Sequence, residues 1–176
     1  MKASDLSNIV EIHGDAIYSF CYFLTKDKSS TDDLYQDTFL KALELCHKID
    51  PEKNPKSFII SIAIGLWKNK CRKLARQQKI MTNFEANDDV IDCYTANNET
   101  PEEIVLNNEL SSMVQAAVAS LDTKLKLPLY MYYTVDMPIE DIAKALKTPK
   151  GTVKSRLFKA RKSIKNILEV YKNEAT

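Results

Sequence analysis

A five-residue turn, Lys147-Thr148-Pro149-Lys150-Gly151, separates a short helical pattern from a long one, and a helix-turn-helix accommodates both. Before the turn, Ile142, Ala143 and Leu146 share one side. After it, Val153, Leu157, Ala160, Ile164 and Leu168 recur every three or four residues, the spacing of a single helix face. From Ile142 to Leu168 there are nine Lys or Arg and no acid. The apolar stripe can rest on a core while the opposite face presents cations, as in a helix that enters a DNA groove. Thr148 is placed to cap the second helix and Pro149 suits its first position. Gly151 would let the helix start approach a backbone closely.

The rest of the chain agrees with a helical fold. Only three Gly occur in 176 residues, 44% of residues are apolar, and few segments alternate with period two. The fold class is therefore all-α. A net charge of +1 decides nothing, but its distribution does. Lys53 to Phe84 holds eight cations and no acid, and Glu85 to Glu103 holds seven acids and no cation. Segregation this strong marks functional surfaces, with solvated faces as the bland alternative. The four Cys lie more than twenty residues apart and only two His are present. No metal site and no cofactor are expected, and the thiols read as core fillers. The N-terminus lacks the pattern of a secretion signal, and the apolar run Phe58 to Trp67 is too short for a bilayer span. The expectation is a soluble, cytoplasmic protein.

In chain order, Leu6, Ile9, His13, Ile17, Phe20 and Leu24 outline a first helix from about Ser4 to Leu24. His13 reads as a hydrogen-bonded helix residue, since no second ligand type lies near it in the sequence. Thr31 resembles an N-cap, followed by Asp32 and Asp33 where the helix dipole favours acids. Leu34, Phe39, Ala42, Leu43 and Cys46 can supply the buried side of that helix. Asp33 and Asp37 share a face with Gln36 beside them. Like charges four apart cost a few tenths of a kcal/mol, so the pair serves either an outside partner or a solvated face. Lys48 to Ser57 contains Pro51 and Pro55 and reads as a loop, with Ser57 capping the next helix. That helix is apolar at first and carries Lys68, Lys70, Arg72, Lys73, Arg76 and Lys79 afterwards, a ramp of cations suited to phosphates. Trp67 stands at the transition, where it can stack on an unpaired base or fill the core.

Met81 to Thr100 is rich in Asp and Asn and lacks periodicity. It reads as a flexible linker able to span about 25 Å as a random coil. Thr100, Pro101, Glu102 and Glu103 start a further helix that runs through Val114 and Val118 to Leu121. Asp122 opens the next one, in which Pro128 occupies an early turn or imposes a kink. The organisation is thus two small helical domains, 1–80 and 101–172, joined by an acidic linker over 81–100, with the helix-turn-helix in the second.

Four segments in this order, DDLYQDTFLKAL, FIISIAIGLWKNKCRKLAR, TPEEIVLNNEL and IEDIAKALKTPKGTVKSRLFKAR, resemble the extracytoplasmic-function (ECF) group of bacterial RNA polymerase sigma factors. The resemblance covers nearly the whole chain and implies the second and fourth domains of the larger sigma factors without the one between. It implies that Asp32, Asp33, Gln36 and Asp37 bind core RNA polymerase at its clamp. It implies contacts to the −10 element of promoter DNA from Lys56, Trp67, Asn69, Lys70, Arg72, Lys73 and Arg76. It implies −35 contacts from Lys150, Thr152, Lys154, Ser155, Arg156, Phe158, Lys159 and Arg161, with Lys154, Ser155, Phe158 and Lys159 at positions that touch DNA in the family. The acidic segment corresponds to a linker near the RNA exit path.

Two residues depart from the family pattern: Lys73 where Asp is common, and Lys147 where the first helix of the turn motif usually ends in Gly. The long C-terminal signalling extensions of some members have no counterpart in Tyr171 to Thr176. A separate anti-sigma factor, membrane-bound and holding the protein at the inner face of the membrane until an envelope or extracellular stress, is therefore the implied regulator. No small-molecule substrate and no catalytic residue are implied. Two other classes fit parts of the chain. A helix-turn-helix regulator would bind an operator without polymerase. An enzyme using Asp33 and Asp37 would need a pocket, a perturbed pKa and a third group that the sequence does not supply.

Overall fold

The computed structural model describes the backbone of residues 3–49, 54–82 and 109–174, and the side chains within 6–49, 54–77 and 113–170. Among these residues the chain is helical without strands. The helices are α1 (Ala3–Thr25), α2 (Lys28–Glu44), α3 (Pro55–Thr82), α4 (Glu109–Ala119), α5 (Thr123–Tyr133), α6 (Ile139–Leu146) and α7 (Lys150–Glu174), with one 3-10 turn at Cys46–Lys48. The helices α1 to α3 build one compact unit; α4, α5 and α7, with the start of α6, build another. The helix start expected at Thr100 and most of the expected linker lie outside the described residues.

In the first unit each helix packs on the other two. Leu6, Ile9, Ile17, Phe20 and Leu24 of α1 are buried against Ile59, Ile60, Ala63, Ile64 and Trp67 of α3 and Leu34 and Ala42 of α2, so the periodic stripes do become the core. His13, on the same stripe, is half-buried, and burial followed by the nearby Lys56 charge lowers its pKa. Cys21 and Cys71 are buried fillers. Burial pushes the Cys21 thiol up to about 12, which leaves it a poor nucleophile.

The caps differ from expectation. α1 ends with Lys26 in the left-handed region (φ 59°), its N–H donating to Tyr22 O at 2.8 Å, a single-bond αL cap. The next helix then starts at once, capped by Asp27, whose Oδ2 accepts from Ser30 N at 2.8 Å. Thr31 is not the cap. It lies inside the first turn, fully buried, with Oγ1 donating to Asp27 O at 2.7 Å. Ser57 is likewise displaced: Asn54 caps α3, its Oδ1 accepting from Ser57 N at 3.2 Å, and the buried Ser57 Oγ has no hydrogen-bond partner. On α2 the buried positions are Thr31, Leu34, Thr38 and Ala42. Leu43, assigned to the core from sequence, is 44% exposed.

In the second unit α7 packs on α4 and α5. Asp122 caps α5 as expected, Oδ1 accepting from Lys124 N at 2.7 Å. Pro128 lies inside α5, just past its first turn, and is buried. Buried on α4 and its following turn are Ala117 and Leu121, whereas Val114 is exposed.

The turn between α6 and α7 is closed by a reciprocal pair of bonds. Thr148 N donates to Ala143 O at 3.0 Å and Lys147 N to Lys144 O at 3.2 Å, with Lys147 at φ 54°. This is a Schellman motif with a non-glycine residue at its left-handed position. An L side chain there costs roughly 1–2 kcal/mol, and glycine removes that at some cost in chain entropy. Lys147→Gly is therefore expected to stabilise the turn between α6 and α7 by about 1 kcal/mol, while Lys147→Ala, still strained, leaves it near wild type. Thermal unfolding of the two variants side by side checks this.

Candidate nucleic-acid interface

α7 presents its cations as its period requires. Val153, Leu157 and Ala160 are buried, and Lys154, Ser155, Phe158, Lys159 and Lys162 are exposed on the other side. Phe158 is 66% exposed in the middle of that row. An aromatic ring held in water between lysines has no role in the core, and a base methyl or sugar edge is a chemically suitable partner. Gly151 faces open space. Thr152 and Arg156 are half-buried at the margins of the face.

Two of the expected contact residues are already engaged within the chain. Arg161 lies over the rings of Tyr132 and Tyr133, at 5.8 and 5.6 Å from their centroids. This cation–π contact ties α7 to the end of α5. Lys150 Nζ donates to Glu140 Oε1 at 3.0 Å. Thr148, expected as the N-cap, does not cap: its Oγ1 is buried without a hydrogen-bond partner. The first intrahelical acceptor is instead Pro149 O, bonded by Thr152 N at 3.0 Å and Val153 N at 3.2 Å.

A second cationic surface lies on α3. Asn69, Arg72, Lys73, Arg76 and Gln77 line a shallow cavity of about 340 Å³, at the i, i+3, i+4, i+7, i+8 positions that share one side of a helix. Arg72 Nη1 donates to Asn69 Oδ1 at 3.3 Å. Lys70 is exposed on the adjoining side and Lys56 is half-buried at the start of the helix. Trp67 is separate from this surface. It is 5% exposed and belongs to the buried side of α3, apart from the residues that line the cavity.

On α2, Asp33, Gln36 and Asp37 are exposed. Asp32 is half-buried and turned toward α1, where its Oδ1 accepts from Tyr18 Oη at 2.7 Å. That hydrogen bond, ahead of burial, holds the Tyr18 proton on. Leu40 is 62% exposed, one turn beyond Asp37, with Leu43 following. The acids therefore continue into an apolar step. Sequence reasoning missed it by giving Leu43 to the core; the three- and four-residue spacing from Asp33 through Gln36, Leu40 and Leu43 was the available signal.

Comparison with known proteins finds the same division. Residues 9–77 match the family model for Sigma-70 region 2, and residues 111–164 match that for Sigma-70, region 4. The chain is similar to the ECF RNA polymerase sigma factor SigW of Bacillus subtilis, 25% identical over 165 residues, 92% of this chain and 88% of that one. It is 29% identical over 151 residues to the ECF RNA polymerase sigma-E factor of Haemophilus influenzae, covering 83% and 79% respectively. Among solved structures it resembles the sigma factor RpoE crystallised with the anti-sigma factor NepR from Bartonella quintana, with TM-score 0.71 and 19% identity over 96% of this chain and 99% of that one. A second is CnrH in complex with the cytosolic domain of CnrY, with TM-score 0.59 and 18% identity over 94% and 88%. At these identities the two structures speak to the fold.

Proposed function

The chain belongs to the extracytoplasmic-function group of bacterial RNA polymerase sigma factors, and from that premise we propose a division of labour among its three surfaces. Asp33, Gln36 and Asp37, with Leu40 beside them, dock core RNA polymerase. Asn69, Lys70, Arg72, Lys73 and Arg76, with Lys56, hold the −10 region. The exposed row of α7 reads the −35 element. The observation that supports this most is the pairing on one chain of a region 2 match and a region 4 match in promoter-binding order, each with an exposed cationic helix face.

The mechanism involves no bond chemistry. Phosphate contacts from lysines and arginines supply a salt-dependent, sequence-independent grip, and a few side chains on base edges supply the choice of site. Two weak grips tethered on one polymerase reinforce each other through effective concentration. Reconstitution with core polymerase, followed by mapping of transcript starts, tests the whole reading; a defined set of starts absent from core alone is the expected result. A helix-turn-helix regulator would instead shift a specific operator without polymerase, and the match to both sigma regions disfavours that class.

Regulation follows the same premise. Two structural neighbours were solved with partners, one named as an anti-sigma factor and the other as a cytosolic domain. We infer that this chain too is held inactive by an anti-sigma factor, at the inner face of the membrane, and is released by an envelope or extracellular signal. No described helix is long and apolar enough to cross a membrane, so attachment would come from the partner.

The polymerase surface is testable by one charge. Asp37→Lys is expected to weaken binding to core polymerase tenfold or more, about 1.4 kcal/mol, with the helical content of the chain unchanged. A fluorescence-anisotropy titration against core enzyme measures it, and wild-type affinity would remove α2 from the interface.

A further inference from the structure

We propose that Glu140 is an intramolecular counter-ion that competes with DNA phosphates for Lys150. It holds Lys150 at the entrance of α7 away from the DNA backbone and so restrains sequence-independent binding. The inference rests on the reading of α7 as the DNA-facing helix.

Glu140 lies in the first turn of α6 and Lys150 in the first turn of α7, ten residues on and across the Schellman turn. Their side chains meet at 3.0 Å while remaining 53% and 59% exposed. An ion pair so wet contributes little to folding, with a usual range of about 0–1 kcal/mol. Its position matters more than its strength. The pair sits at the N-terminal end of the helix whose next two turns carry Lys154, Ser155, Phe158 and Lys159 on the exposed face. The Glu140 carboxyl is held below its ordinary range, first by the hydrogen bond from Lys150 and then by its own backbone and the charges of Lys150 and Lys154. Two cations of the recognition helix therefore feel this carboxylate.

Any duplex approaching α7 must compete with Glu140 for Lys150. Phosphates are present at every sequence, so the competition subtracts from binding everywhere. Contacts from Ser155, Phe158 and Lys159 to base edges are made one and two turns away and do not require Lys150. A carboxylate placed here lowers the phosphate-binding term that all sequences share, and leaves the choice among sequences to the base contacts.

The test uses the full-length chain and a random-sequence 30-base-pair duplex titrated across a salt series, with Glu140→Gln, Lys150→Ala, the double variant, and Lys154→Ala/Lys159→Ala as a control. Glu140→Gln is expected to bind more tightly than wild type. Its dependence of log affinity on log salt should steepen by about 0.9, one further phosphate, so that the gain shrinks about 3.5-fold between 50 and 200 mM. In the Lys150→Ala background the gain should vanish. A merely structural role for Glu140 would change thermal stability without steepening the salt slope. Unchanged or weaker binding by Glu140→Gln, with a flattened slope in the Lys154→Ala/Lys159→Ala control, overturns the counter-ion assignment alone. An unchanged slope in that control removes α7 from the DNA and takes both readings down.

Discussion

Replacing Trp67 by Ala is expected to destabilise the first helical unit by about 3–5 kcal/mol, the usual cost of emptying a buried aromatic site. Trp67 is 5% exposed among Ile60, Ala63, Ile64 and Cys71 on the inner side of α3, and that side faces α1 and α2. The loss combines forfeited burial with a cavity that neighbouring helices close only in part. A small helical unit has a total stability of the same order, so the variant should be largely unfolded over Ala3–Thr82 at physiological temperature. Urea unfolding followed by helical circular dichroism checks this. In the wild type the single indole should emit at short wavelength and resist quenching by iodide. A base-stacking tryptophan would give the opposite pattern: easy quenching, small loss of stability, and a defect confined to promoter opening.

Trp67 also shows where the sequence stops being informative. Its neighbours are apolar on the N-terminal side and basic on the C-terminal side, so local pattern allows either fate; the packing of α1 and α2 decides it. Stripes of period 3.6 were legible because burial of one face imposes them along the chain: Leu6, Ile9, Ile17, Phe20 and Leu24 of α1 and Val153, Leu157 and Ala160 of α7 are buried, while His13, Ile164 and Leu168 are only half-buried. The cap at Asp122 was legible because one cap-forming residue stands alone before an apolar run. The cap of α2 was not. Asp27, Ser29, Ser30 and Thr31 are all cap-forming types, and the choice falls on Asp27 only because Lys26 ends α1 in a left-handed conformation immediately before it. Small residues hid the buried side of α2 in the same way. Leu34 and Ala42 are buried as expected and Thr38 with them, while Leu43, also expected there, is exposed together with Leu40, so hydrophobicity alone did not pick the buried residues. The Glu140–Lys150 pair spans a turn rather than one helix face, and no helical spacing rule reaches it.

The double variant Lys154→Ala/Lys159→Ala should reduce −35-dependent transcription on the order of 100-fold, taking about 1–3 kcal/mol for each lost contact to a base or phosphate. Both lysines are exposed on the face opposite Val153, Leu157 and Ala160. Alanine is a good helix former, so α7 should keep its fold. Affinity for core polymerase should stay at the wild-type level, because the acids proposed to dock it lie on α2 in the other unit. Two measurements on the same preparation separate the roles: core binding by anisotropy, and run-off transcription from a promoter with and without its −35 element. Transcription that falls only on the intact promoter places the lysines on DNA. Loss of core binding would instead make α7 part of the polymerase interface. The salt dependence supplies a third readout. If both residues neutralise phosphates, the slope should fall by nearly two; if one reads a base edge, it should fall by about one, and the variant should tolerate substitutions in the −35 element that the wild type rejects.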